Sequence, residues 1–219
     1  ATILSGLQAL EYRGYDSAGI ACLDSFKGDL VVVKAVGPLA NLRQQLVQTP
    51  ADGMIGIGHT RWATHGAATY ENAHPQLNCH ADLAVVHNGI IENCDALRLR
   101  LKERGHQFVS QTDTELVAHL LSDLIKEHST LPAAMLALAG QLQGAFALVI
   151  MLRHHPDTLL IARRRSPLVI GLSAERTVVA SDQLAFDESV TKVLFVPDEC
   201  VGVVHADSYE LYHEEGKRL

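Results

Sequence analysis

His59-Thr60-Arg61-Trp62-Ala63-Thr64-His65-Gly66 follows an apolar run at residues 54–58, so the pattern predicts a strand that delivers a polar loop, a common place to build a site. The planar guanidinium of Arg61 suits paired hydrogen bonds to a carboxylate, and Trp62 beside it is able to cover such a ligand and exclude water. The same two residues also fit an ordinary surface arginine next to a half-buried tryptophan. In Val85-Val86-His87-Asn88-Gly89-Ile90-Ile91 the Asn-Gly pair is a hairpin signal, but the return run is cut short by Glu92. Read as a functional loop, the Asn88 side-chain NH2 and the Gly89 N–H are two donors for a developing oxyanion, and glycine allows close backbone approach. Asp113 lies in Thr112-Asp113-Thr114-Glu115, which matches a capping box. At the first turn of a helix it is kept ionised by the dipole and nearby N–H groups, ready for a ligand ammonium, although aspartate is common there for structural reasons alone. One guanidinium, one carboxylate and an oxyanion hole together describe a site for a free α-amino acid with an acyl-terminated side chain. Glutamine fits.

An attacking group is harder to find. Cys22 falls in an apolar strand and Cys200 at a strand start, where thiols are usually inert. Cys94, near a predicted helix N-terminus, is a candidate for a lowered pKa; Cys79 precedes His80, but adjacent residues rarely meet as nucleophile and base. The 12 histidines show no His-Glu-x-x-His or similar spacing, so no metal site is expected, and Gly56-Ile57-Gly58 is no dinucleotide fingerprint. No cofactor is expected.

The elements that must position these groups follow from periodicity. Helices are predicted over residues 2–10, from Gly37-Pro38 to about residue 46, over 94–103, from the 112–115 box onward, and over 131–142. Strands are predicted over 18–23 and 30–36, paired through a hairpin loop, then over 54–58, 83–87, 145–152, 158–162, 168–172, 177–181, 193–196, 200–204 and 209–212. Several strands are apolar on both faces, which calls for sheets covered by helices on one side and by another sheet on the other.

The 219 residues suffice for one sizeable α/β domain, the expected count. A net charge of -7 disfavours nucleic acid, and the only compact basic run is Arg163-Arg164-Arg165. The longest apolar run, residues 145–152, is far short of the ~20 residues of a membrane helix. Four cysteines without Cys-x-x-Cys spacing suggest free thiols in a reducing compartment, here the cytoplasm.

Glu11-Tyr12-Arg13-Gly14-Tyr15-Asp16-Ser17-Ala18-Gly19, the 59–66 block, Asn72-Ala73-His74-Pro75, residues 86–93 and Thr112-Asp113-Thr114-Glu115 occur in an order that resembles the glutaminase domain of glucosamine-6-phosphate synthases. Residues 156–160, Ser166-Pro167 and Ala180-Ser181-Asp182-Gln183 extend the resemblance nearly end to end. It implies an α+β fold, the four-layer αββα sandwich of the N-terminal-nucleophile hydrolases. It also implies glutamine hydrolysis to glutamate and ammonia, for amination of fructose 6-phosphate to glucosamine 6-phosphate. By resemblance Arg61 holds the glutamine α-carboxylate, Asp113 its ammonium, Thr64 and His65 line the pocket, Trp62 gates it, and Asn88 with Gly89 forms the oxyanion hole. Arg13 and Gly14 brace the loop that bears the nucleophile. That nucleophile is, in the family, an N-terminal cysteine whose own α-amine moves the proton. Against that pattern this chain is expected to be N-terminally incomplete, lacking the cysteine and a central strand and so leaving a gap in a sheet. The sugar isomerase domains are expected beyond the C-terminus, with a homodimer in the full-length form. The alternative is a binding module that holds glutamine or glutamate without chemistry.

Overall fold

The computed structural model describes residues 2–62 and 66–219. Its elements run α1 (Thr2–Leu10), β1 (Ser17–Leu23), β2 (Leu30–Val36), α2 (Leu39–Gln48), β3 (Gly56–Arg61), β4 (Gln76–Leu77), β5 (Leu83–Ile91) and α3 (Cys94–Glu103). There follow α4 (Glu115–Glu127), α5 (Leu131–Gln141), β6 (Gly144–Leu152), β7 (Leu159–Arg164), β8 (Val169–Leu172), β9 (Thr177–Ala180), β10 (Lys192–Phe195), β11 (Cys200–Val204) and β12 (Tyr209–His213). The strands pair antiparallel into three sheets, of order β2-β1-β3, β10-β8-β9 and β12-β11-β7-β6-β5-β4.

Side chains alternate across a strand, and here each face has its own partner. Leu83, Val85 and Ile91 of β5, with Phe146, Leu148 and Ile150 of β6, pack under α3, α4 and α5. Their neighbours Ala84, Val86 and Met151 face Ala21, Leu23 and Ile57 of the small sheet instead. On the far side of that sheet, Ile20 and Cys22 pack under Leu7 of α1 and Leu39 and Leu42 of α2. The β8 sheet covers the other half of the large sheet through Ile161, Ile170 and Val204. Helices, sheet, sheet and helices are therefore stacked in the expected αββα order, because nearly every central strand is apolar on both faces.

Three local expectations change. The strand predicted over 54–58 lies at Gly56–Arg61, so Arg61 ends a strand and pairs with Ser17 rather than opening a loop. The strand predicted over 83–87 runs on to Ile91: Asn88 pairs with Ala147 and Gly89 with Phe146, because the nine-residue β6 offers partners along the whole length. Gly89 has φ +124°, and a Cβ there would lie 2.0 Å from the Ala145 carbonyl oxygen, so only glycine fits this crossing. Third, α4 starts at Glu115, which puts Asp113 just before the helix. The capping box is half formed, with Thr112 Oγ1 accepting from the Glu115 N–H at 3.4 Å while the Glu115 carboxylate accepts from the N–H groups of Val109 and Ser110 at 2.8 and 2.7 Å.

Among the described residues β3 pairs with β1 alone and β9 with β8 alone, and their other edges border one cavity of about 660 Å³. Leu4 and Leu7 of α1 and Val149 and Leu159 of the large sheet line it. The basic run disperses: Arg163 donates to the carbonyls of Ser166 and Val196, while Arg164 caps α5 through the carbonyls of Ala139 (2.9 Å) and Leu142 (2.6 Å) and pairs with Glu214. No helix among the described residues is long and apolar enough to cross a membrane.

Candidate active site

Where the C-terminal end of β3, the second half of β5 and the approach to α4 converge, they enclose a cavity of about 190 Å³. That is below the ~300–1,000 Å³ usual for drug-sized ligands and suits one small molecule. Arg61, Trp62, Asn88, Gly89, Asp113 and Arg13 all line it.

Arg61 is buried, at 4% exposure, and donates to the carbonyls of Gly66 and Ala67, both at 3.2 Å. Burial lowers its pKa, while the charges of Asp113 and Asp16 act the other way. Asp113 is buried too; its Oδ2 accepts from the Ile91 N–H at 2.9 Å, and its Oδ1 lies 3.8 Å from His87 Nδ1. A fixed cation and a fixed anion thus border one small space, with a strand and a helix approach holding them apart.

Asn88 lies on the sheet-to-sheet face of β5, and its Oδ1 meets His59 Nε2 at 2.9 Å. Desolvation lowers the His59 pKa to about 4, so the ring is neutral at pH 7 and donates its Nε2–H to the amide oxygen. With the carbonyl engaged, the group Asn88 has left to offer is its NH2, a donor. One residue back, His87 faces the helices and meets Thr114 Oγ1 at 3.1 Å; His74 Nε2 meets the same hydroxyl at 2.7 Å. Burial lowers the His74 pKa well below its ordinary value. His59 and His74 stack at 4.5 Å between ring centroids.

These histidines and Thr114 were not singled out from the sequence, because none matches a ligand or triad spacing. The usable signal was alternation: His59 shares a strand face with Arg61, and His87 is next to Asn88.

Arg13 forms an ion pair with Asp182 at 3.1 Å. Gly14 does not line the cavity, but a Cβ there would come within 2.6 Å of the Thr60 carbonyl oxygen, so this bend packs directly on β3 beside Arg61. Trp62, at 57% exposure, stands at the rim, edge-on to Tyr15 with 5.6 Å between ring centroids. Thr64 and His65 lie outside the described residues.

Among the described residues lining the cavity there is no cysteine. Burial raises the pKa of Cys22, and that of Cys200 to about 11. For Cys94 the expected lowering is reversed: burial and the adjacent Asp95 carboxylate raise its pKa.

A layered αββα sandwich carries an arginine, an aspartate and an oriented amide at one end, and residues 59–188 match the family described as Glutamine amidotransferase domain. The match covers more than half of the chain, which belongs to this family. The chain is similar, at 45% identity over 217 residues, to an Escherichia coli (strain K12) protein named Glutamine--fructose-6-phosphate aminotransferase [isomerizing], covering 99% of this chain and 35% of that protein. An Idiomarina loihiensis protein of the same name is 44% identical with the same coverage, so the chain spans about a third of these curated relatives. Among solved structures it resembles a glutamine phosphoribosylpyrophosphate (PRPP) amidotransferase from B. subtilis, at TM-score 0.81 and 28% identity over 97% of this chain and 46% of that one. A structure described as the allosteric regulatory enzyme of purine biosynthesis matches at TM-score 0.83 and 30% identity, again over 97% and 46%. The N-terminal-nucleophile type of fold expected from the sequence is borne out by these neighbours.

Proposed function

We propose that the cavity is a glutamine site: Arg61 takes the α-carboxylate, Asp113 the ammonium, and the Asn88 NH2 with the Gly89 N–H stabilises the oxyanion formed when the side-chain amide is attacked. Supporting this is the convergence of a buried cation, a buried anion and an amide whose carbonyl is already occupied, all around about 190 Å³. Trp62 gates the rim, Thr64 and His65 complete the lining, and Arg13 and Gly14 brace the neighbouring loop. Attack by a cysteine thiolate on the amide carbon forms a thioester and expels ammonia; water then releases glutamate. None of the four cysteines suits that role. In this reading the nucleophile is an N-terminal cysteine on a segment running between the free edges of β3 and β9, beside the larger cavity. The released ammonia aminates fructose 6-phosphate to give glucosamine 6-phosphate, on sugar isomerase domains of the same polypeptide, which works in the cytoplasm as a homodimer. The coverage of 35% of the similar aminotransferases leaves room for such domains.

Calorimetry with glutamate, and ammonia release from glutamine, test the reading on the 219-residue chain and on a polypeptide that carries the cysteine-headed segment. Binding by both with turnover only by the second is the expected result. Steady turnover by the 219-residue chain would overturn the external nucleophile, binding without turnover by either would leave only the binding-module alternative, and no binding by either would remove the site.

A further inference from the structure

Away from the cavity, the connection from β4 to β5, the turn after α3 and the second turn of α4 bring Cys79, His106 and His119 together. Cys79 Sγ lies 3.5 Å from His119 Nδ1 and 3.9 Å from His106 Nδ1, and one ligand atom from each of the three residues falls within 4.8 Å of the others. We propose that this group is a transition-metal site of the zinc class, with these three side chains as ligands and a fourth position open to solvent on the Cys79 side.

The distances suit a metal. A tetrahedral ion with bonds of about 2.3 Å to sulfur and about 2.0–2.1 Å to nitrogen sets its sulfur and nitrogen ligands roughly 3.5 Å apart. The outer groups point the same way. His106 Nε2 lies 3.1 Å from Asp123 Oδ2, and His119 Nε2 3.5 Å from Glu115 Oε1. The hydrogen bond to Asp123 holds a proton on His106 Nε2 and leaves its Nδ1 lone pair on the sulfur side, the carboxylate–histidine–metal arrangement of zinc sites, while the Glu115 carboxylate lies near His119 Nε2 without a hydrogen bond to it. Those carboxylates are themselves anchored, Asp123 by Arg104 at 3.0 Å and Glu115 by the two backbone N–H groups before α4. A thiol has one proton, so it can satisfy only one of the two nitrogens, and the Gln107 carbonyl oxygen is a further acceptor 3.7 Å from the sulfur. A cation among them engages the sulfur and both Nδ1 nitrogens at once.

A thiolate with two imidazoles favours zinc or cobalt over the hard cations magnesium and calcium. Binding displaces the Cys79 thiol proton to solvent, one proton per ion. Cys79 is exposed and gives an entry route; His119 is buried, with Phe108 edge-on at 4.6 Å. The sequence hides this site because its ligands are 27 and 40 residues from Cys79, with no local spacing to read.

Titration of the metal-stripped chain with Co(II) tests the proposal. One equivalent is expected to bring up an ultraviolet thiolate-to-cobalt charge-transfer band and intense visible bands, both bleached by Zn(II). The charge-transfer band is expected to survive Cys94→Ser and to vanish in Cys79→Ser, and His106→Gln is expected to weaken binding at least about tenfold. Far-ultraviolet circular dichroism confirms folding, and His106→Gln decides alone if Cys79→Ser does not fold. No charge-transfer band in the parent chain, a band that persists in Cys79→Ser, or an unchanged affinity in His106→Gln would overturn the metal site.

Discussion

Two groups of histidines flank the start of α4, and they differ in what the rings touch. At the cavity, His59 meets the Asn88 amide and His74 meets the Thr114 hydroxyl, both neutral partners, and burial pushes both rings towards the uncharged form. At the other group, His106 and His119 each turn Nδ1 to a thiol, and His106 gives its other nitrogen to the Asp123 carboxylate while Glu115 lies 3.5 Å from His119 Nε2. The first arrangement orients hydrogen-bond donors; the second presents lone pairs. The partners of each ring nitrogen, and not the count or spacing of histidines, decide which chemistry an imidazole serves.

Arg61→Ala should break the cavity most severely. Removing one partner of a desolvated ion pair with a ligand carboxylate typically costs about 2–5 kcal/mol, so glutamate affinity measured by calorimetry should fall roughly thirtyfold or more. An unchanged dissociation constant would take Arg61 out of the site. Asn88→Ala should act on rate: in the cysteine-bearing protein glutamine turnover is expected to drop about 10²–10³-fold, with glutamate binding within about threefold of the parent. An equal loss in both would mean that Asn88 serves binding in general.

Acid sharpens the contrast further. The folded His59 pKa of about 4 is below its ordinary 6.5, so between those values the unfolded chain binds more protons and stability falls as pH drops. The loss from this one ring between pH 6.5 and 4.5 is roughly 2 kcal/mol, read from urea midpoints at those two values, and His59→Gln should flatten the slope. An identical slope in the variant would show that His59 is not the group responsible. The smallest expected effect crosses between the two groups: Cys79→Ser should leave glutamate affinity within about threefold, and a larger change would mean that α4 couples them.

Much of the fold was legible because periodicity reports burial directly. The span of α1 and that of β11 agree with the sequence reading to the residue, and β5 differs only at its end. That end carried the misreading. Asn-Gly signals a hairpin or loop from local preference, but β6 supplies partners across all nine residues of β5, and long-range pairing overrides the local signal. Arg61, Asp113, Asn88 and Gly89 stood out because their side chains or backbone have few purely structural uses in combination. His59, His74 and Thr114 did not, since their significance lies in contacts between strands and a helix approach far apart in sequence. Cys79 is a similar case: His80 is its neighbour in sequence, but its neighbours in space are His106 and His119.

Among the described residues the second edges of β3 and β9 meet no partner strand, which also bears on handling. Each presents a row of amide hydrogens and carbonyl oxygens that a strand from any source can match. At high concentration the isolated chain should therefore self-associate edge to edge, and a short extended peptide occupying that channel should keep it monodisperse in light scattering.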